Sequence, residues 1–207
     1  LFASGGALYL ENMVVRGYSQ AGQADVNFQP AGAANLFIKD SRIQSGATGL
    51  RVANSGGDVG VTVDNVRFEN NGTGIKAVAN GRLTVRNSIV SDGTQDGVNL
   101  AAANGLSLTA AFDRVLVSGN AAAGITSGGA LPVFATVSRG SVRGNGGTGI
   151  FVSNAAGSSV TRVAQTAITR NSTGVGTGAG GTILSRGNNT VEANNADGIF
   201  SGTYSGK

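Results

Sequence analysis

A three-residue unit, in which Thr, Asp or Ala is followed by Gly and a branched apolar residue, recurs along most of the chain. The copies are Thr48-Gly-Leu50, Thr73-Gly-Ile75, Asp96-Gly-Val98, Ala123-Gly-Ile125, Thr148-Gly-Ile150, Thr173-Gly-Val175 and Asp197-Gly-Ile199. Their apolar members are 25, 23, 27, 25, 25 and 24 residues apart, and a degenerate copy, Ala24-Asp-Val26, lies 24 residues earlier. A period of this length is typical of repeat proteins, in which each repeat stacks on its neighbours.

Each repeat contains alternating apolar and polar residues, the pattern of a β-strand. Examples are Leu8-Tyr-Leu10, Leu36-Phe-Ile38, Val61-Thr-Val63, Leu83-Thr-Val85 and Leu106-Ser-Leu108. A second apolar anchor follows a few residues later, at Ile43, Phe68, Val90, Val117, Val142, Ile168 and Val191. The Gly-Ile unit then opens a third strand, so the pattern predicts three short strands and no helix in each repeat.

Three strands in about 25 residues cannot enclose a core alone, but stacked coils pair each strand with its equivalent one turn away. We therefore predict an all-β fold, a parallel β-helix of about eight coils with three parallel sheets. Since parallel crossovers are nearly always right-handed, we expect a right-handed coil. The repeat runs from Val26 to Ile199 without a break, which predicts a single domain over residues 1–207.

Glycine and asparagine recur at fixed places in the repeat. We expect each repeat glycine to permit either a positive φ or a close backbone approach. The asparagines that precede the Gly-Ile unit are expected to occupy left-handed turns and to form an internal ladder of side-chain amides. They are Asn71, Asn120, Asn145, Asn171 and Asn194.

The composition excludes several kinds of chemistry. The chain has no His and no Cys, which removes imidazole acid-base catalysis, disulfides and the usual zinc sites. Its net charge is +4, which is compatible with a polyanionic partner. No apolar run is long enough for a membrane span, and we predict no nucleic-acid partner and leave the oligomeric state open.

The repeats, such as Asp64-Asn-Val-Arg-Phe68 followed by Asn71-Gly-Thr-Gly-Ile75, resemble those of the pectin-lyase-like superfamily. This resemblance covers nearly the whole chain. It implies a parallel β-helix but no single activity, since the superfamily includes lyases, glycoside hydrolases, epimerases, tailspikes and adhesins. The catalytic motifs of its polygalacturonase-like, pectate-lyase-like and alginate-epimerase-like members are missing here, so no catalytic residue carries over.

Three carboxylates form the remaining candidate for catalysis. Glu69 and Asp92 each lie six residues before an anchor, which predicts adjacent positions on neighbouring coils, with Asp96 nearby. Such a group could share a proton, bind Ca²⁺ or serve as a glycosidase pair. Solvated loop carboxylates, with Arg67 as an ion-pair partner, are the other interpretation. We predict no cofactor, with Ca²⁺ at these residues as the alternative.

Basic residues recur 11 to 13 residues before the anchors and are expected to form one stripe, at Lys39, Arg86, Arg114, Arg139, Arg162 and Arg186. Regularly spaced guanidinium groups suit the carboxylates or sulfates of an acidic polysaccharide. The alternative is that they only keep a β-surface soluble. Phe151 and Phe200 are expected to point outward, as are Tyr9 and Phe37, either to stack on sugars or to be covered by loops.

Three hypotheses for function follow. The first, which we favour, is a non-catalytic β-helix, a structural or surface module that either binds acidic or sulfated polysaccharide through the basic stripe or has no glycan ligand. The second is a polysaccharide lyase, a glycoside hydrolase or a fragment of one, and the third is the shaft of an adhesin or tailspike-like assembly. All three suggest a secreted, periplasmic or cell-surface location.

Overall fold

The computed structural model describes residues 6–18, 20, 22–54, 56–102, 107–155 and 158–205. The described residues form 22 strands and no helix, and all the strand pairs are parallel. The chain is thus an all-β, right-handed parallel β-helix of about seven turns, which confirms the predicted fold class with nearly the predicted number of coils. Leu106, in one of the predicted strands, lies outside the described residues.

The strands are short, and their bounds follow the repeat. In chain order they are β1 (Ala7–Glu11), β2 (Val14–Arg16), β3 (Val26–Phe28), β4 (Ala34–Gln44), β5 (Thr48–Ala53), β6 (Val59–Glu69), β7 (Thr73–Ala79), β8 (Gly81–Arg86), β9 (Ile89–Ser91), β10 (Val98–Ala102), β11 (Leu108–Asp113), β12 (Leu116–Ser118), β13 (Ile125–Gly128), β14 (Val133–Ser138), β15 (Ser141–Arg143), β16 (Thr148–Val152), β17 (Ser159–Ala164), β18 (Ala167–Thr169), β19 (Thr173–Thr177), β20 (Gly181–Ser185), β21 (Thr190–Glu192) and β22 (Gly202–Thr203).

The strands build three faces, which we call sheets A, B and C. Sheet A contains β1, the first half of β4 and of β6, then β8, β11, β14, β17, β20 and β22. Sheet B contains β2, the second half of β4 and of β6, then β9, β12, β15, β18 and β21, and sheet C contains β3, β5, β7, β10, β13, β16 and β19. Because β4 and β6 run through both A and B, these two faces form one continuous 15-stranded sheet beside the 7-stranded sheet C.

A single residue in the left-handed conformation makes the corner between sheets A and B. Asp40, Asn65 and Asn87 occupy this position in successive coils, with φ of 47°, 53° and 50°. Asn and Asp adopt this conformation more readily than most residues because their short side chains bond to nearby backbone. In the next two coils the corner residue is instead Arg114 and then Arg139, both with φ 53°.

The core consists of the predicted anchors, stacked coil upon coil. Those of sheet C pair in sequence and are at most 7% exposed: Val26, Leu50, Ile75, Val98, Ile125, Ile150 and Val175. The anchors of sheet B from Ile43 to Ile168 are buried as well, and Val191 is partly buried. The identity of the apolar anchors was therefore predicted correctly over most of the chain.

The six repeat glycines from Gly49 to Gly174 are required by close approach and not by a positive φ. Gly149 does not have a left-handed backbone. A methyl group on it would lie 2.7 Å from the backbone oxygen of Gly174 and 2.8 Å from Asn171 Nδ2. Close backbone approach, and not a positive φ, is therefore the reason for glycine at this position.

The asparagine ladder is confirmed from Asn120 to Asn194, whereas Asn71 lies outside it because Gly93 occupies the ladder position in the next coil. Asn120 Nδ2 donates to Asn145 Oδ1 at 2.9 Å, Asn145 Nδ2 to Asn171 Oδ1 at 2.8 Å, and Asn171 Nδ2 to Asn194 Oδ1 at 3.0 Å. The expected left-handed conformation belongs not to these residues but to the residue before each of them, such as Asn70 with φ 55°. The residue that adopts the left-handed backbone conformation is therefore not the residue whose side-chain amide bonds to the next coil.

The last copy of the repeat unit does not form a coil, which corrects the sequence prediction. Gly198 has φ 74°, and Ile199 is 87% exposed instead of joining the core. The left-handed glycine turns the chain away from sheet C and toward β22, and Phe200 packs against the core in place of the isoleucine. In the part of the chain that the structure describes, no helix has the length and apolar character needed to cross a bilayer.

Candidate functional site

Glu69 lies at the end of β6 and is held by two arginines. Its side chain is 8% exposed, with Arg42 Nη2 2.6 Å from Oε2 and Arg67 Nη2 2.5 Å from Oε1. Its partner on the next coil is Ser91, so Asp92 is displaced by one position from the register that the sequence suggested. Glu69 is therefore the centre of an ion-pair cluster on sheet B, and Arg67 is one of its partners, as the second interpretation of this site expected.

Asp96 and Asp92 lie in different environments. Asp96 accepts hydrogen bonds from the amide of Ala123 at 3.1 Å, from Thr126 Oγ1 at 3.1 Å and from Asn99 Nδ2 at 3.0 Å. Asp92 is exposed at a left-handed turn with φ 58°. Among the described residues, no three His, Cys, Asp or Glu side chains form a group that could hold a metal ion. The geometry thus gives Glu69 and Asp96 structural contacts without testing the catalytic hypothesis.

The six residues of the predicted basic stripe occupy three neighbouring rows along the corner between sheets A and B. Lys39, Arg86 and Arg186 share the last row of sheet A, according to the strand register. Arg114 and Arg139 lie one position further on, at the corner itself, and Arg162 lies two positions earlier on the outer face of sheet A. The stripe is therefore a band that is a few residues wide.

Several of these cations already have carboxylate partners. Arg86 Nε lies 3.1 Å from Asp64 Oδ2, and Arg139 contacts both oxygens of Asp113 at 2.7 Å. Arg114 lies 3.3 Å from the same carboxylate. The hydrogen bonds from Arg139, followed by those from Ser138 and the nearby charge of Arg114, hold the pKa of Asp113 below its usual range. Arg114 and Arg139, two of the five arginines proposed to bind a ligand, thus share one partly buried carboxylate, and Arg86 has a carboxylate of its own.

Arg162 and Arg186 have no carboxylate partner among the described residues. The guanidinium carbon of Arg162 lies 6.0 Å from the centroid of the Tyr204 ring, at the outer limit of a cation–π contact. Arg186 is exposed on the following coil. Both cations are therefore available to an anion in solvent.

Two further arginines were missed by the sequence reasoning. Arg143 ends β15, and Arg170 occupies the left-handed turn after β18 with φ 58°. Both are exposed, on neighbouring coils at the edge of sheet B opposite Arg139, and neither has a carboxylate partner in the described residues. Between the two edges the outer positions of sheet B carry small side chains, including Ser141, Ala167 and Thr169.

The distribution of charged residues along the sequence could have located these arginines. Residues 114–191 contain six Arg, no Lys and no Asp or Glu, a net charge of +6. Residues 1–113 contain eight Lys or Arg and nine Asp or Glu, a net charge of −1. We call the outer surface formed by residues 114–191 the basic half. It contains Arg114, Arg139, Arg143, Arg162, Arg170 and Arg186.

The two phenylalanines proposed to stack on sugars are both partly buried. Phe151 lies on sheet C beside Gly176 and lines a shallow depression of about 300 Å³ with Asn99 and Thr126. Phe200 packs against the core after the chain leaves sheet C. Of the two, Phe151 lines an open depression, whereas Phe200 packs against the core.

No protein-family model, curated protein or solved structure matches this chain. The class of the protein, a right-handed parallel β-solenoid, therefore follows from its coil geometry alone.

Proposed function

We propose that the chain is a non-catalytic β-solenoid that binds an acidic or sulfated polysaccharide along the basic half. One observation carries the proposal: six arginines and no carboxylate lie between residues 114 and 191. The neighbouring Asp113 carboxylate engages Arg114 and Arg139, while Arg143, Arg162, Arg170 and Arg186 have no carboxylate partner among the described residues. A surface with one sign of charge attracts a polyanion over a distance of about 10 Å at moderate salt.

The backbone at three of these arginines supports a role for their charge. Arg114, Arg139 and Arg170 have φ of 53°, 53° and 58°. A side chain with a Cβ costs about 1 kcal/mol or more in this conformation, and Asn, Asp or Gly would suit the turn better. Equivalent positions in earlier coils carry Asn65, Asn87 and Asp92. Gln165 and Ala193 occupy the same turns in neighbouring coils, with φ of 49° and 57°, so the turn itself does not require a cation. Binding of an anion is a role that the guanidinium groups can serve at these positions.

The geometry favours a polysaccharide over a nucleic acid. Single-stranded nucleic acids are usually held by aromatic rings on which the bases stack. Between residues 114 and 191, in the described part of the chain, Phe134 is the single large apolar side chain more than one-third exposed, at 38%. Coils that repeat about every 4.8 Å instead present guanidinium groups on successive turns to a linear polymer with a charge on each unit.

Features of the coil support assigning this parallel β-helix to a particular superfamily. The amide ladder, the one-residue corner between sheets A and B, and the close-packed repeat glycines are consistent with membership of the pectin-lyase-like superfamily, which we include in the proposal. A protein that binds acidic polysaccharide would act where such polymers occur, in a secreted, periplasmic or cell-surface location.

Affinity measurements on charge-matched variants test the proposal. Polygalacturonate and heparin would be titrated by calorimetry into the wild-type chain, an Arg143→Gln/Arg170→Gln variant and an Arg16→Gln/Lys76→Gln control. The control also removes two exposed positive charges, but outside the basic half. Removal of Arg143 and Arg170 should weaken binding about tenfold, as expected for two favourable charge contacts, with less than about a twofold change in the control.

Three results would contradict this function. Equal loss of affinity in both variants would show that only overall charge matters. Affinity that does not fall with added salt would exclude the electrostatic mechanism. Tighter binding to duplex DNA than to either glycan at the same salt concentration would assign the basic half to a different class of polymer.

A further inference from the structure

A separate polar hollow lies on the outer face of sheet A, in the coils that precede the basic half. It has a volume of about 470 Å³ and is lined chiefly by Asn35, Asp58, Gly60, Arg82, Ser107 and Thr109. Gly60 pairs with Asn35 on one side and Arg82 on the other, in an outward-facing row of neighbouring strands. Because Gly60 has no side chain, backbone forms the floor of the hollow between two polar side chains.

The carboxylate on the rim is held in place by a buried amide. Asn80 is 1% exposed, and its Nδ2 donates to Asp58 Oδ1 at 2.7 Å and to the Gly57 carbonyl at 3.0 Å. The backbone amide of Asn80 in turn donates to Asn54 Oδ1 at 3.1 Å. Asp58 is exposed, and its Oδ2 accepts no hydrogen bond from the described residues. This oxygen is therefore oriented and free to accept hydrogen bonds from a ligand.

Arg82 provides the matching donors. Its side chain is exposed, and it has no carboxylate partner within the described residues. Although Asp58 and Arg82 both line the hollow, they do not form an ion pair with each other in the described structure. The site thus combines free acceptors and free donors with no net charge.

An aromatic surface lies on the same outer face. The rings of Tyr9 and Phe37 are stacked with their centroids 4.7 Å apart and their planes 8° from parallel. Phe37 follows Asn35 by two residues on β4, so its ring lies on the same side of the sheet and about 7 Å along the strand. Tyr9 remains 71% exposed, although it is stacked on Phe37.

These features match the chemistry of a neutral sugar ring. A pyranose has a face of C–H groups that packs on an aromatic ring and a rim of hydroxyl groups that both donate and accept hydrogen bonds. We propose that the Gly60 hollow and the Tyr9–Phe37 pair form a binding subsite for a neutral hexose or pentose unit of a polysaccharide. The opposite charges of Asp58 and Arg82 leave the hollow without net charge, which favours an uncharged sugar over a uronate, and the inference does not depend on the basic half.

NMR titration of the ¹⁵N-labelled chain tests this subsite with three defined probes, the hexasaccharides of β-1,4-linked glucose, mannose and xylose. At least one probe should shift the amides of Gly60, Gly81, Arg82 and Thr84 with a Kd of about 1 mM, typical of a single sugar subsite. Failure of all three to shift these amides at about 10 mM, well above that Kd, would overturn the proposal.

A substitution that fills the hollow provides the specific control. A Cβ on Gly60 would lie 2.3 Å from Asn35 Oδ1, the tip of a flexible side chain that can move aside, and Gly60 does not have a left-handed backbone. Gly60→Gln should therefore fold and lower the affinity at least about fivefold, as expected when a ligand is excluded sterically. Thr182→Gln, at the equivalent position on β20, should leave it unchanged.

Arg82→Gln provides a second test that leaves the glycine in place. It should also weaken the probe, since the guanidinium donors are lost, and it should leave binding of polygalacturonate unchanged. Equal effects of Gly60→Gln and Thr182→Gln, or unchanged probe binding in Arg82→Gln, would contradict the subsite. Because Arg143→Gln/Arg170→Gln should leave probe binding intact, failure here is distinguishable from failure of the polyanion proposal.

Discussion

The coils before and after Asp113 are built alike inside and differ outside. Ile75 and Ile150 occupy the same core position and are both fully buried, at 0% exposure. On the outer surface, cations of the earlier coils such as Arg42 and Arg86 contact carboxylates, whereas the later coils contain no carboxylate until Glu192. Stacking fixes every inward residue through its neighbours one coil away, but it leaves the outward rows free to change charge.

Because the two regions share one core, truncating an equivalent core residue in each should lower the free energy of unfolding by a similar amount. Ile75→Ala and Ile150→Ala should each lower the free energy of unfolding by about 2–5 kcal/mol, because each leaves a cavity in a close-packed stack. Urea unfolding followed by circular dichroism would measure both. If one substitution were neutral and the other costly, the two regions would not share one core register.

The ion pairs of Glu69 and Asp113 should contribute different amounts to the free energy of unfolding. Glu69→Gln removes a carboxylate that is only 8% exposed and that contacts both Arg42 and Arg67, and it should cost about 1–3 kcal/mol of stability. Asp113→Asn removes an exposed contact with Arg139 and should change stability by less than about 1 kcal/mol. Denaturant midpoints of the two variants would test this order, and a larger loss for Asp113→Asn would reverse it.

The same Asp113 substitution should increase binding of acidic polysaccharide. It removes the carboxylate that engages Arg114 and Arg139 and so releases both guanidinium groups to a ligand. A gain of about two- to fivefold in affinity for polygalacturonate is expected, equivalent to one surface charge contact. Asp64→Asn, which releases Arg86 outside the basic half, is the control and should produce a smaller gain. An unchanged affinity in Asp113→Asn would place the ligand elsewhere.

A smaller effect is expected at Asp25, the acceptor of a hydrogen bond from the Tyr18 amide at 3.2 Å. Burial raises the pKa of Asp25 above 3.8, although the bond from Tyr18 opposes the rise, and its Oδ2 has no hydrogen-bond partner among the described residues. The raised folded pKa favours the protonated form, so stability is lost as pH rises through that pKa. Asp25→Asn should therefore raise the Tm at pH 7 and have no such benefit below pH 3.8. A lower Tm at pH 7 would contradict this explanation.

The sequence predicted the inside of the molecule well. A strand that pairs with its own repeat must carry an apolar side chain at the same place in each coil, so the anchors and the asparagine ladder are visible as a period. The same period wrongly predicted that Ile199 is a buried anchor, because Gly198 adopts φ 74° and turns the chain away from sheet C. Nothing in the unit Asp197-Gly-Ile199 distinguishes it from Asp96-Gly-Val98, which forms a regular coil.

The candidate sites were less predictable because coil length varies from 23 to 27 residues. Counting back from an anchor therefore misplaces a residue by one or two rows, which is enough to separate Arg114 from Arg86 and Asp92 from the row of Glu69. Contacts such as that between Arg139 and Asp113 join residues 26 apart in sequence and appear only once the register is known. Arg143 and Arg170, by contrast, could have been found from the absence of acidic residues after Asp113.

Mapping a bound polyanion onto the chain is the most direct test of the difference between the two regions. A polygalacturonate oligosaccharide would be titrated into the ¹⁵N-labelled protein at low ionic strength and again near 1 M salt, where charges are screened within about 3 Å. We expect the shifted amides to lie between residues 114 and 191, around Arg143 and Arg170, and the shifts to disappear at high salt. Shifts concentrated before Asp113, or shifts that persist in salt, would contradict it.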